Sequence, residues 1–119
     1  MTELSHFEAE VFKALAHPLR IRVLDALRHG ELGVNELCVR LNVEQSTLSQ
    51  QLALLRSRDL VAGRKHGNNV FYSVKDPATL KIIDVARDIF NNRLINMKDL
   101  FAQLEVASAT EPAPKGWHL

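Results

Sequence analysis

The sequence predicts a mainly helical fold with one small β-hairpin: four helices, a two-stranded ribbon and a long fifth helix. Two observations carry this prediction. A helical apolar repeat runs to about Leu60 and then changes to the period of two that is typical of strands. Only Asn42 and Val43 separate the third helix from the fourth, and so short a link forces a sharp angle between them. The predicted arrangement is a winged helix-turn-helix.

Capping and proline signals bound the first two helices. Ser5 and Glu8 have capping-box spacing, so the first helix is expected to begin near Ser5. It ends before His17-Pro18, because the residue that precedes a proline avoids the helical region, and Pro18 then opens the second helix. The arginines of the second helix are expected on the face opposite its apolar side: Arg20, Arg22 and Arg28.

The third helix is predicted from about Val34 to Leu41, with Cys38 on its apolar face beside Leu37. A thiol in such surroundings behaves as a small hydrophobe, so Cys38 is expected to pack in the core, and a redox role is the alternative. Cys38 is the single cysteine of the chain. An intramolecular disulfide and a cysteine-rich metal site within one chain are therefore excluded.

The fourth helix, within Glu44–Val61, has two contrasting faces. Leu48, Leu52 and Leu55 fall within about 60° of one another and form an apolar seam. The opposite face carries Ser, Gln and Ala instead of the Lys and Glu that are typical of a solvated surface. Short hydroxyl and amide groups bind base edges and phosphates. We therefore predict a recognition helix that reads DNA; the alternative is an ordinary surface helix poor in charge.

The predicted wing follows, with strands at Val61–Arg64 and Val70–Val74 around a turn at Lys65–Asn69. From Arg40 to Lys75, six basic residues stand against two acids, a balance of +4 in a chain of net charge +1. This local excess suits phosphate binding. The residues predicted to contact DNA are Gln45, Ser46, Thr47, Ser49, Gln50, Arg56, Arg64, Lys65, His66 and Asn68.

The fifth helix is predicted from about Pro77 to Leu104, after a cap at Asp76. Its apolar residues cover a wider arc than a domain this small can bury alone, so it is expected to pair with its copy in a homodimer, with the first helix as additional cover. The residues predicted at this dimer interface are Phe7, Val11, Ile82, Phe90, Leu94, Met97, Phe101 and Leu104.

Composition and length place the chain among globular proteins. It has 119 residues, of which 46% are hydrophobic and 24% charged. Residues 1–105 are expected to form one winged-helix and dimerisation domain, and the small, polar, Pro-rich residues 106–119 a disordered tail. There is no apolar run long enough for a bilayer, and the N-terminus is acidic and polar. We expect a cytoplasmic protein with no membrane partner.

With these elements in order, the chain resembles the ArsR/SmtB family of dimeric winged-helix repressors over about Phe7 to Leu104. Three stretches carry the resemblance: FKALAHPLRIRVLDAL, VNELCVRLNVEQSTLSQQLALLRSRDLV and GRKHGNNVFYSV. The resemblance implies an operator-binding homodimer whose affinity for DNA is changed by an effector, commonly a metal ion or a thiol-reactive species.

The effector sites of the family are incomplete in this chain. Thiolate sensors of the family carry ELCVC in the third helix, whereas this chain reads ELCVR, so Cys38 matches and Arg40 replaces the second cysteine. In the zinc, nickel and cobalt sensors the last helix supplies an Asp, a His and two further ligands. Asp76 matches the Asp, but the other three positions hold Ala78, Ile89 and Asn92.

The remaining metal candidates lie at the start of the chain. Glu3, His6 and Glu10 fall on one side of the first helix and its lead-in, with His6 and Glu10 at i, i+4 spacing. Nitrogen and oxygen ligands of this kind suit divalent nickel, cobalt or zinc. The alternative is a solvated acidic helix start.

The sequence thus predicts a sequence-specific transcriptional regulator that acts as a homodimer on a double-stranded DNA operator, with its affinity modulated by an effector such as nickel, cobalt or zinc. The alternatives are a winged-helix protein-interaction module, which the low net charge motivates, and a metal-independent or redox-responsive regulator. An enzyme is not expected, because the chain has no nucleophile elbow, paired Cys/His spacing or phosphate-cradling glycine loop.

Overall fold

The computed structural model describes residues 2–107, which form five α-helices and a three-stranded antiparallel sheet. The elements follow in the order α1 (Glu3–Leu15), α2 (Pro18–Ala26), β1 (Leu32–Gly33), α3 (Val34–Leu41), α4 (Gln45–Ser57), β2 (Val61–His66), β3 (Asn69–Val74) and α5 (Ala78–Ala107). The strands lie in the order β1-β3-β2. The predicted winged helix-turn-helix is confirmed. The chain divides into two compact units, Met1–Ile83 and Asp84–Leu119.

The caps of α1 and α2 show which local signals determined the helix ends. The Thr2 hydroxyl accepts a hydrogen bond from the Ser5 amide at 3.1 Å, so Thr2 is the N-cap of α1. The prediction that Ser5 caps this helix is wrong by three residues, nearly one turn. Nδ1 of His17 accepts from the Leu19 amide at 3.1 Å, and Pro18 is the first residue of α2 as predicted.

Two arginines of α2 bind the ends of neighbouring helices. Arg20 donates from Nε to the Ala14 carbonyl at 2.6 Å, and Arg22 donates from Nη2 to the Leu41 carbonyl at 2.9 Å. These carbonyls belong to the last turns of α1 and α3, where helical partners are lacking. The sequence placed these arginines opposite the apolar side of α2 but did not predict their partners, and Arg20 is half-buried.

The hydrophobic core lies in the first unit. Three leucines of α4, Leu48, Leu52 and Leu55, are at most 1% exposed, which confirms the apolar seam. Cys38 packs against the core and is half-buried, so its predicted core position is only partly correct. The buried apolar residues are Ala14, Leu15, Leu19, Val23, Leu24, Leu27, Leu37, Leu41, Leu48, Leu52, Leu55, Leu60, Val61 and Ile83.

The turns that flank α4 depend on left-handed backbone. Asn42, with a φ of 53°, ends α3 and starts the turn into α4. Asp59, with a φ of 60°, follows the end of α4, which is shorter than the predicted stretch. The wing is longer than predicted, because His66 pairs with Asn69 and only two residues form the turn. Gly67 takes the positive φ of 63° there, which glycine adopts readily.

Two further features differ from the sequence prediction. The strand β1 was not predicted, and it pairs Leu32 with Tyr72 and Gly33 with Phe71 of β3. The helix α5 begins one residue after Pro77, where the Asp76 carboxylate accepts from the Ala78 amide at 2.9 Å. It continues to Ala107, and residues 108–119 of the predicted tail lie outside the described residues. No helix in residues 2–107 is both long and apolar enough to cross a membrane.

Candidate nucleic-acid interface

The outward face of α4 carries the polar residues that the sequence singled out. Because one side of the helix is buried through Leu48, Leu52 and Leu55, the opposite side must face solvent. The N-cap residue, Glu44, makes no side-chain capping hydrogen bond, so its side chain leaves the first amides of α4 uncapped. The five predicted contact residues in the first half of this helix are all exposed: Gln45, Ser46, Thr47, Ser49 and Gln50.

The wing and the last turn of α4 lie side by side at Gly63. A Cβ atom at this position would be 3.2 Å from Cε1 of Tyr72 and 3.4 Å from Nη1 of Arg56. The lack of a side chain at Gly63 thus allows the Arg56 guanidinium to approach β2. The predicted contact residues of this region are all exposed: Arg56, Arg64, Lys65, His66 and Asn68.

A cleft of about 500 Å³ lies where α3 and α4 begin and the wing turns. Amide side chains from three elements line it, namely Asn35, Gln45, Asn68 and Asn69, together with Glu36, whose carboxylate is paired with Arg40. Amides both donate and accept hydrogen bonds, so the lining suits a polar ligand group such as a sugar-phosphate backbone. The sequence reasoning missed Asn35 and Asn69. Asn35 lies in the first turn of α3, and that helix was considered only for its apolar side.

Most of the basic residues between Arg40 and Lys75 are already paired with acids. Four of the six form ion pairs: Arg40 with Glu36 at 3.2 Å, Arg58 with Glu10 at 3.0 Å, Arg64 with Glu31 at 2.6 Å and Lys75 with Asp59 at 2.9 Å. Arg56 and Lys65 form no ion pair with residues 2–107. Exposed pairs contribute little free energy, so these cations can exchange carboxylate for phosphate.

The pair between Arg64 and Glu31 has the most defined geometry. The guanidinium donates from Nη2 and Nε to the two carboxylate oxygens at 2.6 and 3.1 Å. Its Cζ atom lies 5.2 Å from the centre of the Phe71 ring, within cation-π range. The hydrogen bond from Arg64 lowers the pKa of Glu31, and the same bond raises the pKa of Arg64. Glu31 was not predicted, because it precedes the helix-turn-helix and no local pattern links it to the wing.

The structure does not bring Glu3, His6 and Glu10 together as a metal site. They line a cleft of about 300 Å³, but the Glu10 carboxylate accepts from Arg58 at 3.0 Å and from Lys13 at 3.4 Å. Within residues 2–107 no group of three His, Cys, Asp or Glu side chains is arranged to hold a metal ion. The described residues of one protomer therefore offer no complete set of ligands for the predicted nickel, cobalt or zinc ion.

Comparison with known proteins identifies the family. Residues 17–62 match the model for bacterial regulatory proteins of the arsR family. The uncharacterized HTH-type transcriptional regulator Rv0081 of Mycobacterium tuberculosis (strain ATCC 25618 / H37Rv) is 39% identical over 104 residues, which is 83% of this chain and 91% of the relative. The chain belongs to the ArsR family. The resemblance in the sequence is thus confirmed.

Other ArsR-type relatives agree in fold and role. The crystal structure of Rv0081 matches with a TM-score of 0.71 over 82% of this chain and 98% of that chain. A transcriptional repressor SmtB homolog of Synechocystis sp. is 47% identical over 68 residues, 57% of this chain and 52% of the relative. The homodimeric winged helix-turn-helix DNA-binding domain Mb0332 of Mycobacterium bovis is 26% identical, with a TM-score of 0.69 over 79% of this chain and 91% of that chain. This ArsR-family chain is a DNA-binding transcriptional regulator, and its relatives are regulators, not enzymes.

The ion pair in the wing gives a first prediction. We expect the Arg64→Ala substitution to raise the pKa of Glu31 towards its ordinary value, because the hydrogen bond that lowers it is lost. A carboxyl with a lowered pKa stabilises the folded chain above its unfolded pKa, and that contribution is lost as the pH falls through the lowered value. An NMR titration of the Glu31 carboxyl carbon measures this pKa in the wild type and in the variant.

The matched control is Lys65→Ala, which removes a neighbouring wing cation that forms no ion pair with residues 2–107. This variant should leave the pKa of Glu31 as in the wild type. The assignment of the pair is wrong if the titration curve of Glu31 is the same in the wild type and in Arg64→Ala.

Proposed function

We propose that this chain is a homodimeric regulator that reads a double-stranded DNA operator with the outer face of α4 and contacts neighbouring phosphates with the wing. One observation carries the proposal: α4 buries its leucine seam and presents Ser46, Ser49 and Gln50 to solvent. A helix whose outer face carries short hydroxyl and amide side chains can lie close to the base pairs in the major groove. These groups can then form hydrogen bonds with base edges.

The proposed contacts divide by position. Ser49 and Gln50 lie in the middle of α4, where base edges are reached, and an amide such as that of Gln50 can bind adenine through two hydrogen bonds. The first turn of α4 and the amide-lined cleft lie nearer the DNA backbone in this arrangement. The wing residues Arg64, Lys65 and His66 would follow phosphates or enter the minor groove.

The charges of the chain support binding of modest strength with few phosphate contacts for each protomer. Arg56 and Lys65 are available for phosphate, because neither forms an ion pair with the described residues. The cations of the four ion pairs must first release a carboxylate, which reduces their net gain from each phosphate. Few phosphate contacts for each protomer give a shallow dependence of affinity on salt, and a dimer doubles that number.

The exposed apolar surface of two helices supports a homodimer. In the second unit, Val85, Ile89, Phe90 and Ile95 of α5 are each more than half exposed. In the first unit, α1 exposes Leu4, Phe7 and Phe12 to a similar degree. An apolar surface of this kind is typical of an interface, and the relative Mb0332 is described as homodimeric.

The predicted interface residues differ in how much of their surface a partner could cover. Phe7 and Phe90 are 66% and 59% exposed and Leu94 is 39% exposed, so a partner could cover all three. Met97, Phe101 and Leu104 are half-buried. Val11 and Ile82, by contrast, already pack against the core of the first unit, so they would contribute less.

Effector control enters the proposal without an assigned ligand. An effector that binds two arrangements of the dimer with different affinity would change the separation of the two α4 helices and hence the affinity for the operator. A metal ion is left out, because the described residues hold no group of ligands for one. Since the target is genomic DNA, the proposal includes a cytoplasmic location.

The first test of the proposal is a gel shift with DNA from upstream of the chain's own gene, followed by substitution of Gln50. We expect the wild type to bind a fragment of that region below micromolar concentration at low salt. Gln50→Ala should then cost roughly 1 to 3 kcal/mol on that fragment and much less on random duplex DNA, because it removes a base contact.

The control for Gln50 is Arg64→Ala, which removes a phosphate contact and should weaken binding to both DNAs by similar factors. Equal losses of Gln50→Ala on both DNAs would mean that Gln50 contacts only the backbone. A wild type that binds no upstream fragment would favour a winged-helix module that binds another protein.

A second test concerns the dimer. Leu94→Glu places a charge in the proposed interface, and a buried unpaired charge costs several kcal/mol, so the variant should be monomeric by sedimentation. Two recognition helices must reach major grooves about 34 Å apart, so operator binding should be lost although every proposed DNA contact is intact.

The matched control is Ala102→Glu, which adds the same charge to α5 at an exposed position whose neighbours about one turn away are Lys98, Asp99 and Glu105. It should remain dimeric and bind the operator as the wild type does. A folded, dimeric Leu94→Glu variant with wild-type operator affinity would show that the interface lies elsewhere.

A further inference from the structure

Arg20 of α2 connects the end of α1 to the middle of α4. Its Nε donates to the Ala14 carbonyl at 2.6 Å and its Nη2 to the Lys13 carbonyl at 3.2 Å. Its Nη1 donates to Oε1 of Gln51 at 3.0 Å. One half-buried guanidinium thus binds two helices at once, and the planar shape of the group fixes the directions of all three hydrogen bonds.

Gln51 lies between the two faces of α4. It is half-buried, next to Gln50 on the outer face and Leu52 on the buried face. A bond to Gln51 therefore opposes rotation of α4 about its axis. A side-chain atom about 6 Å from the axis moves by about 1 Å for a rotation of about 10°, which is enough to spoil a hydrogen bond to a base.

We propose that Arg20 is a positioning residue for DNA reading, which holds α4 at the rotation that presents Gln50 to base edges. The proposal rests on the proposed function of α4 as the recognition helix. Because the same guanidinium binds the last turn of α1, it also provides a route by which a change at α1 reaches the DNA-reading face.

A second contact between α1 and α4 supports this connection. Oε2 of Glu10 in α1 lies 3.0 Å from Nη1 of Arg58, the residue that follows α4. Glu10 is three-quarters buried in this contact, whereas Arg58 is about half exposed, with side-chain exposures of 26% and 48%. Solvent weakens such a pair, so it holds the end of α4 only weakly. Arg20 refines the rotation of the middle of the helix, which the buried leucines set.

The capping role of Arg20 is separable from its positioning role. The bonds to Ala14 and Lys13 satisfy carbonyls at the end of α1, which would stabilise the fold whatever α4 does. The bond to Gln51 caps nothing. Gln51→Met therefore removes only the connection to α4 and keeps side-chain size, so it is a cleaner test than replacement of Arg20.

The experiment compares affinity for the upstream DNA fragment with affinity for a random duplex of equal length, in the whole 119-residue chain. The readout is the ratio of the two affinities. Phosphate contacts change both affinities by the same factor and therefore leave this ratio unchanged. Gln51→Met should lower this ratio about tenfold, the equivalent of one hydrogen bond to a charged donor, and leave affinity for random DNA within about twofold. A purely structural role would lower thermal stability without changing the ratio.

A conservative substitution at Gln51 and a double-mutant cycle with Arg20 make the test specific. Gln51→Glu keeps an acceptor for Arg20, so the ratio should return to the wild-type value even if the added charge weakens binding to both DNAs. In the Arg20→Met background, Gln51→Met should cause no further loss of the ratio. Ser57→Ala is the matched control, because the Ser57 hydroxyl donates to the Leu54 carbonyl within α4, and it should keep the ratio.

The outcomes separate this inference from the function on which it rests. A wild type that prefers no upstream fragment to random DNA overturns the proposed function. A selective wild type with an equally selective Gln51→Met variant overturns the positioning role of Arg20 alone. The Gln51 variants decide the question even where Arg20→Met fails to fold, because they leave the caps of α1 intact.

Discussion

Burial of one side of α4 is the constraint on which the rest of the structure depends. Leu48, Leu52 and Leu55 are inaccessible to solvent, and removal of one such leucine costs about 2–5 kcal/mol in a typical core. A helix cannot bury one side without presenting the other, so the packing of these leucines selects which residues face outward. The DNA-reading surface is in this sense a consequence of the core, with Arg20 refining the angle.

Features set by local signals could be predicted from the sequence. The pair His17-Pro18 bounds two helices through one proline and one capping imidazole. The short link of three residues, 42–44, produces the sharp turn that makes the helix-turn-helix, one residue longer than the predicted link. The strand β1 was missed, because two residues show no alternation and its existence depends on pairing with β3. The start of α1 was displaced, because Thr2 and Ser5 are both acceptable caps and only the fold shows which one binds an amide.

The sequence predicted which residues of the candidate site face solvent, but it did not predict which residues they interact with. All ten predicted DNA-contact residues are exposed, because helical and strand periodicity determines which side of an element faces solvent. Two interactions that hold the site were missed: Glu31 with Arg64, one of the ten, and Gln51 with Arg20. The partners in each pair are distant in sequence and meet only after folding. The partner of Glu10 was missed for the same reason, since the sequence offers Glu10 as a metal ligand and the fold pairs it with Arg58.

The central claim is that two copies of α4 read one operator. Selection of bound duplexes from a random DNA library by the wild-type chain tests it most directly, because it assumes no operator in advance. The account predicts an inverted repeat whose half-site centres lie about one helical turn apart, roughly 10 base pairs. Enrichment of no sequence, or of a single unrepeated site, would contradict it.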